Sequence, residues 1–203
     1  MPSEIQNRTI AVRFTPPNAE AVIIMGIYAH ASGNTATKRD FFNKVFETRT
    51  SLQNQFNCNI IIGGDFNSTI GHLHSYMHDF KSATLIPDSI AKAISTLIYD
   101  CNYIHPFEST VLRWPGRQYL TFQCTTRLPS AIDEEHTITT KGIDHILFPA
   151  TMINQLEDIC VSDQFFSGSK HKAVSIVVKN LINLPISMQN NQPEAFYSIP
   201  GLE

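Results

Sequence analysis

Residues 59–70 read NIIIGGDFNSTI, and this stretch decides the fold. Ile60, Ile61 and Ile62 form a short β-branched run, too brief for a helix and apolar on successive positions, which is the signature of a buried strand. Gly63 and Gly64 then let the backbone turn sharply and let a ligand approach closely. In extended chain, residues two apart share a face, so Asp65 and Asn67 are expected side by side while Phe66 turns into the core. A carboxylate that takes a proton beside an amide that holds a reacting oxygen is a hydrolytic pair. The same letters also spell an Asp/Asn turn closing a strand, and the motif alone supports both readings.

Working outward, AVIIMGIYAH (21–30) is a second apolar run and predicts a strand covered on both faces. Between the two runs, Phe41, Phe42, Val45, Phe46, Leu52 and Phe56 recur at helical spacing. TIAVRF (9–14) reads as an earlier strand, followed by a PPN turn at 16–18. DSIAKAISTLIYDC opens on an Asp88 cap and repeats Ile90, Ile94, Leu97 and Ile98 on one helical face. Residues 71–87 read as a long loop. Four more strand-like runs follow: QYLTFQC, GIDHILF, LEDICVS and HKAVSIVV. The Pro, Asn and Gln after Leu181 predict a flexible tail, giving one domain over 1–180 and a linker over 181–203. Strands interleaved with two helices, then clustered strands, predict an α+β sandwich of layers. No Gly-rich strand-to-helix phosphate loop is present, which argues against a doubly wound nucleotide-binding sheet.

Composition sets the bounds. At 203 residues and 42% hydrophobic, the chain can bury a substantial core. Fifteen basic residues against 18 acidic leave a net charge of −3, which is no footprint for tight non-specific nucleic-acid binding but is compatible with a local basic groove. Cys58, Cys101, Cys124 and Cys160 are scattered with no Cys-x-x-Cys pair, and read as buried free thiols of a reducing compartment. No apolar run reaches the roughly 18 residues of a membrane span, and residues 1–10 lack a signal peptide's apolar region. The expectation is a soluble intracellular protein, with no Lys/Arg run to choose between nucleus and cytoplasm.

Two other residues invite chemistry. GIDHILF sets Asp144 among Ile143, Ile146 and Leu147 at mid-strand, where a carboxylate needs a partner. His171 in SKHKAV is the natural candidate, because a carboxylate fixes an imidazole's tautomer and raises its basicity. Spacing alone leaves the two equally readable as unrelated. His72, His74 and His78 lack a framework and a fourth ligand, so no metal site is assigned to them. His145 is expected to pack against the opposite sheet face, and His30, His105 and His136 are given no role.

Taken together, GIYAHAS with KRDFF, IIIGGDFNST, HPFESTVLRWPGRQYLTFQ, GIDHILF and SGSKHKAVSIV form five blocks over residues 26–177. Their content and order resemble the endonuclease/exonuclease/phosphatase superfamily, and most nearly the endonuclease domains of LINE-type retrotransposons. The resemblance implies a DNase I-like, four-layered fold of two β-sheets with helices outside. It implies Mg²⁺-dependent hydrolysis of a phosphodiester, with DNA as the ancestral substrate. Asp65 would activate the attacking water, Asn67 would position it or the phosphate, Asp144 would pair with His171 at the scissile phosphate, and Tyr28 would reach a phosphate oxygen.

The chain departs from the family pattern in three places. The family's domain starts well before the point matching Met1, so the segment bearing an early Asn and a metal-binding Glu is expected to be missing. The family's closing Ser-Asp-His reads Ser169-Lys170-His171, putting an ammonium where a metal carboxylate is expected. The family's Tyr-x-Pro-Asn turn reads Tyr28-Ala29-His30-Ala31. Losing both metal carboxylates predicts no protein metal ligand and weak Mg²⁺ binding. Lys170 is then expected to bind phosphate by its charge without supplying Lewis acidity. The leading expectation is a truncated, impaired phosphodiesterase. Its alternatives are a non-catalytic phosphate- or partner-binding remnant, or an inositol-phosphate or lipid phosphatase. An incomplete sandwich would also leave an apolar sheet face for a second chain to complete.

Overall fold

The isoleucine run forms the middle strand of a five-stranded sheet, in a computed structural model that describes residues 7–15, 20–70, 89–107, 119–127, 136–165 and 168–179. The turn expected at 16–18, the Asp88 cap, the loop at 71–87 with its three histidines, and the tail from 181 lie outside these residues. In chain order the elements are β1 (Thr9–Phe14), β2 (Val22–Tyr28), α1 (Thr35–Phe56), β3 (Asn59–Asp65), α2 (Ser89–Asp100), β4 (Tyr103–Ile104), β5 (Phe122–Arg127), β6 (His136–Lys141) and β7 (Asp144–Pro149). A 3₁₀ turn (Ala150–Gln155), β8 (Leu156–Phe165) and β9 (Lys172–Val178) follow. The chain is therefore a mixed α+β protein.

The main sheet runs in the order β1-β2-β3-β7-β4. Strands β2 and β3 are parallel because α1 crosses between them, whereas β1 and β7 flank them antiparallel. Helix α1 starts where the Asn34 side chain accepts from the Thr37 N–H at 2.8 Å. It ends at Asn57, whose φ of 47° reverses the chain. Its stripe of Phe41, Phe42, Val45, Phe46 and Leu52 packs on Ile23, Met25 and Ile27 of β2 and on Ile60 and Ile62 of β3. Ile90, Ile94 and Ile98 of α2 join the same cluster. Each such fully buried side chain contributes roughly 1.5–3 kcal/mol, so this helix-covered face anchors the sheet.

The other face carries Val22, Ile61 and Phe148, which pack on Leu156, Ile176 and Val178 of the β8–β9 hairpin. Hairpin β5–β6 is tied to that second layer by Gln123 N–H donating to Lys170 O (2.9 Å) and Lys172 N–H donating to Thr121 O (2.7 Å). Helices, main sheet and second β-layer thus make three of the four expected layers among the described residues.

Three expectations need correcting. β2 is not covered on both faces: Ile24 is half exposed, as is Ile10 on β1, because β8–β9 shields only the Val22–Phe148 end. Asp144 begins β7 and does not lie at mid-strand. The cysteines are free, but none is fully buried and Cys160 is exposed: Cys58 and Cys101 lie just past the ends of α1 and α2, and Cys124 and Cys160 lie within the two-stranded sheets. Strands β4 and β6 went unread because one is two residues long and the other, HTITTK, is threonine-rich with little apolar alternation.

Candidate active site

The site is built by register. Tyr28 at the end of β2 lies opposite Asp65 at the end of β3, and Asp65 lies opposite Asp144 at the start of β7. Three strand ends therefore deliver a phenol and two carboxylates to one edge of the sheet. Gly64, with φ of +140°, takes a conformation that L side chains rarely adopt. A Cβ there would stand 2.0 Å from Ile27 O, so only glycine lets β2 and β3 stay paired immediately before Asp65.

Asp65 and Asn67 come together through a turn and not, as extended chain would have it, on one strand face. Asn67 has φ of 45° and donates its N–H to Asp65 Oδ1 (2.8 Å). Its Nδ2 donates to Asp65 Oδ2 (3.1 Å) and to Ala29 O (2.9 Å). Both amide hydrogens face acceptors, so the amide oxygen is the atom left to accept from a ligand. The Asx turn and the paired arrangement are one object here. Phe66 is buried and stacks with Phe42, and its N–H donates to Ile143 O at 2.8 Å. Ala29 N–H donates to Asp65 O at 2.7 Å, which laces the loop after β2 to the same turn.

Asp144 and His171, 27 residues apart, are in contact: His171 Nδ1 lies 3.0 Å and 3.1 Å from the two carboxylate oxygens. A proton on Nδ1 is held there by Asp144, leaving Nε2 for whatever enters the site. The pair is only partly open, with side-chain exposures of 33% for His171 and 17% for Asp144. Burial raises the Asp65 carboxyl above its ordinary value, and the nearby Asp144 charge adds to this; the Asn67 N–H bond and His171 pull it back only in part. Tyr28 is half exposed, with Arg8 over its ring. Lys170 turns its ammonium to Cys124 Sγ at 3.4 Å.

Donor atoms of Asp65, Asp144 and His171 lie within 4.8 Å of one another. The expectation of no protein metal ligand rests on the two metal positions of the resembled family, whereas these three donors stand at positions with other expected roles. Two carboxylates facing each other across β3 and β7, with Asp65 already resisting ionisation, are a donor set that a divalent cation would neutralise. The residues present fit such an ion.

A buried layer holds this edge in place, and most of it went unread. His145 does not merely pack: its Nε2 reaches Ser68 O at 2.9 Å and its Nδ1 meets His105 Nε2 at 3.2 Å. Phe107 N–H donates to His105 Nδ1 at 3.3 Å, which leaves His105 Nε2–H to donate to His145 and His145 Nε2–H to donate to Ser68. Tyr119 stacks on His145 and donates to Asp144 O. Thr121 Oγ1 accepts from both Ile143 N–H (3.1 Å) and Asp144 N–H (3.0 Å). Tyr119 and Thr121 lay in plain view in QYLTFQC, where strand propensity masked their hydrogen-bonding role.

No family model and no curated protein sequence matches the chain. Solved structures do. The endonuclease domain of TRAS1, a telomere-specific non-LTR retrotransposon, superposes with TM-score 0.55 at 12% identity, over 85% of this chain and 64% of that one. The 3′-5′ exonuclease NExo from Neisseria meningitidis gives 0.57 at 17%, over 78% and 61%. An AP endonuclease from Archaeoglobus fulgidus gives 0.52 at 14%, over 77% and 61%. The chain spans less than two thirds of each of these structures. All are DNase I-like, and the fold of this chain is DNase I-like.

Proposed function

We propose that the chain hydrolyses phosphodiester bonds of DNA, slowly, at the edge formed by Asp65, Asn67, Asp144 and His171. The observation that carries this reading is the meeting of the Asp65–Asn67 turn with the Asp144–His171 pair, whose donor atoms lie within 4.8 Å. Asp65, its carboxyl raised by burial, is a general base suited to take a proton from water. Asn67, with its amide nitrogen anchored on Ala29 O and Asp65, offers its oxygen to orient that water. His171, its tautomer set by Asp144, turns Nε2 to a phosphate oxygen. When protonated it donates a charge-assisted bond, which strengthens as negative charge builds on the phosphate. Tyr28 offers a phenolic donor from β2.

Asp65 and Asp144, with His171 beside them, would hold a divalent ion, and Mg²⁺ is the family's. When bound, it stabilises charge on the phosphate and the leaving oxygen. Lys170 stands where the resembled family has a further metal carboxylate. It adds positive charge without a ligand oxygen, which is the reason to expect a slow enzyme. Plasmid nicking with Mg²⁺ tests this, with the wild type beside Lys170→Asp. Slow wild-type nicking that quickens in the variant, with tighter Mg²⁺ binding, supports the reading. Fast wild-type nicking that the variant does not improve contradicts it.

A second reading, a phosphate-binding module without catalysis, is favoured by the ammonium that Lys170 brings to the position where the resembled family has a metal carboxylate. It predicts DNA binding with no Mg²⁺-dependent product. We further propose that the half-exposed Ile10 and Ile24 face receives a strand-forming segment of another chain.

A further inference from the structure

Sequence pattern gives His105 no role, yet it stands at the head of a buried chain that ends beneath the Asp65–Asn67 turn. His105, His145 and Ser68 are shut off from solvent, at 0%, 0% and 5% exposure. The polarity of each link is fixed from both ends. Ser68 O can only accept, so His145 Nε2, 2.9 Å away, carries the proton, and Nδ1 of the neutral ring accepts. Phe107 N–H can only donate, so His105 Nδ1, 3.3 Å away, accepts, and His105 Nε2 carries the proton. The two demands agree at the 3.2 Å link between the rings, where one donor meets one acceptor. Aromatic neighbours hold both rings in place: Tyr119 stacks on His145 at 5.6 Å and meets His105 edge-on at 4.8 Å, and Phe66 meets His145 edge-on at 5.2 Å.

The place of this chain in the fold gives it a use. His145 follows Asp144 in β7, and Ser68 follows Asn67, so one imidazole ties together both arms of the site. Through the backbone it holds the strand end that carries the Asp144–His171 pair, and through its hydrogen bond it holds the turn that carries Asp65 and Asn67. That turn needs holding, because Asn67 at φ of 45° sits in a left-handed conformation uncommon outside glycine. His105, one residue past β4 at the edge of the sheet, donates the proton that keeps His145 in the tautomer able to reach Ser68. In the other tautomer, His145 Nε2 would face Ser68 O lone pair to lone pair and the tie would part. A buried hydrogen-bonded chain is costly to leave partly satisfied, so each link enforces the next.

We propose that His105 is a positioning residue: by fixing the His145 tautomer it sets the Asp65–Asn67 turn at its working distance from the Asp144–His171 pair. The proposal rests on the hydrolytic reading of the site, but half of its test does not. His105→Gln and His105→Asn, made in the full chain, both lose the ring. Only the glutamine amide extends to the place of Nε2 and can donate to His145; asparagine stops at the place of Nδ1. Amide hydrogen exchange followed by NMR reads the turn directly. In His105→Asn the Phe66 and Asn67 amides should exchange about three- to tenfold faster, the weight of one hydrogen bond, while Met25 and Ile61 in the sheet hold their rates. Cleavage of a labelled DNA duplex in Mg²⁺ should fall roughly 10- to 100-fold in kcat. Duplex affinity in EDTA should stay within about twofold, placing the loss on the reaction and not on binding. His105→Gln should stay within about threefold of wild type in exchange and in kcat, because it restores the donor. Equal behaviour of the two variants overturns the proposal. So does faster exchange at Met25 and Ile61 alongside the turn, which is what lost packing alone would give. If neither variant folds, the nitrogen chemical shifts of the wild-type imidazoles decide: a proton on His145 Nε2 upholds the proposal, and a proton on His145 Nδ1 overturns it. A wild type that cleaves nothing removes the hydrolytic reading, and the exchange comparison then judges the tie between the two arms by itself.

Discussion

Gly63 and Gly64 are neighbours with opposite tolerances, and substituting each by alanine tests how the site edge is built. At Gly64 an added Cβ meets Ile27 O at 2.0 Å and Ile27 C and N at 3.0 Å, on a backbone with φ of +140°. Real Cβ contacts do not fall below 3.0 Å, so β2 and β3 must part by about 1 Å or the φ must change. Backbone strain of this kind costs on the order of 1–3 kcal/mol, and one or two weakened ladder bonds add roughly 0.5–1.5 kcal/mol each. Gly64→Ala should therefore lose about 3–5 kcal/mol, a large share of the 5–15 kcal/mol typical of a domain. At Gly63 the added Cβ meets Ile146 Cγ1 at 3.5 Å and His145 O at 3.7 Å, ordinary contacts. Gly63→Ala should change stability by less than about 1 kcal/mol. Urea unfolding of both variants against wild type reads the difference. Equal midpoints for the two would refute the argument that Gly64 alone permits the pairing beneath Asp65.

Three other outcomes follow from the same geometry. Asp144→Asn removes the charge that holds His171 Nδ1–H, so cleavage should fall about 100- to 10,000-fold in kcat, as for other carboxylate–histidine pairs; a fall below tenfold would count against the role given to the pair. Because burial raises the Asp65 carboxyl, its base form is lost as pH falls through a value above the usual 3.8. Cleavage should thus be flat at higher pH and decline on an acid limb lying above 3.8 in the wild-type pH–rate profile; a limb at or below 3.8 would count against Asp65 as the base. Ile24→Ser, at a half-exposed position on the uncovered face, should reduce self-association in light scattering at little cost in thermal stability; unchanged scattering would mean that face is not sticky.

Much of the fold is legible because β-branched and apolar spacing reports burial directly. The Ile60–Ile62 run, the Phe41–Phe46 stripe and the Ile90–Ile98 stripe all lie where periodicity puts them. The uncovered stretch at Ile24 was not legible: an apolar side chain records the face it is suited to, not whether a neighbour arrives to cover it. At the site, motif letters pointed to Asp65 and Asn67, but the turn that joins them depends on Asn67 taking positive φ, which composition does not reveal. The Asp144–His171 contact follows from chemistry and not from spacing, since residues 27 apart meet only through topology. The His105–His145–Ser68 chain and Arg8 on Tyr28 were invisible for the same reason, being contacts between segments whose register no local pattern encodes.

The most direct test of a hydrolytic centre on these strand ends is single-turnover cleavage of a labelled DNA duplex in Mg²⁺, comparing wild type with Asp65→Asn. Slow wild-type cleavage that disappears in the variant, while duplex affinity in EDTA stays within a few-fold, is the predicted result. Cleavage at equal rates in the two proteins, or none in either, would contradict it.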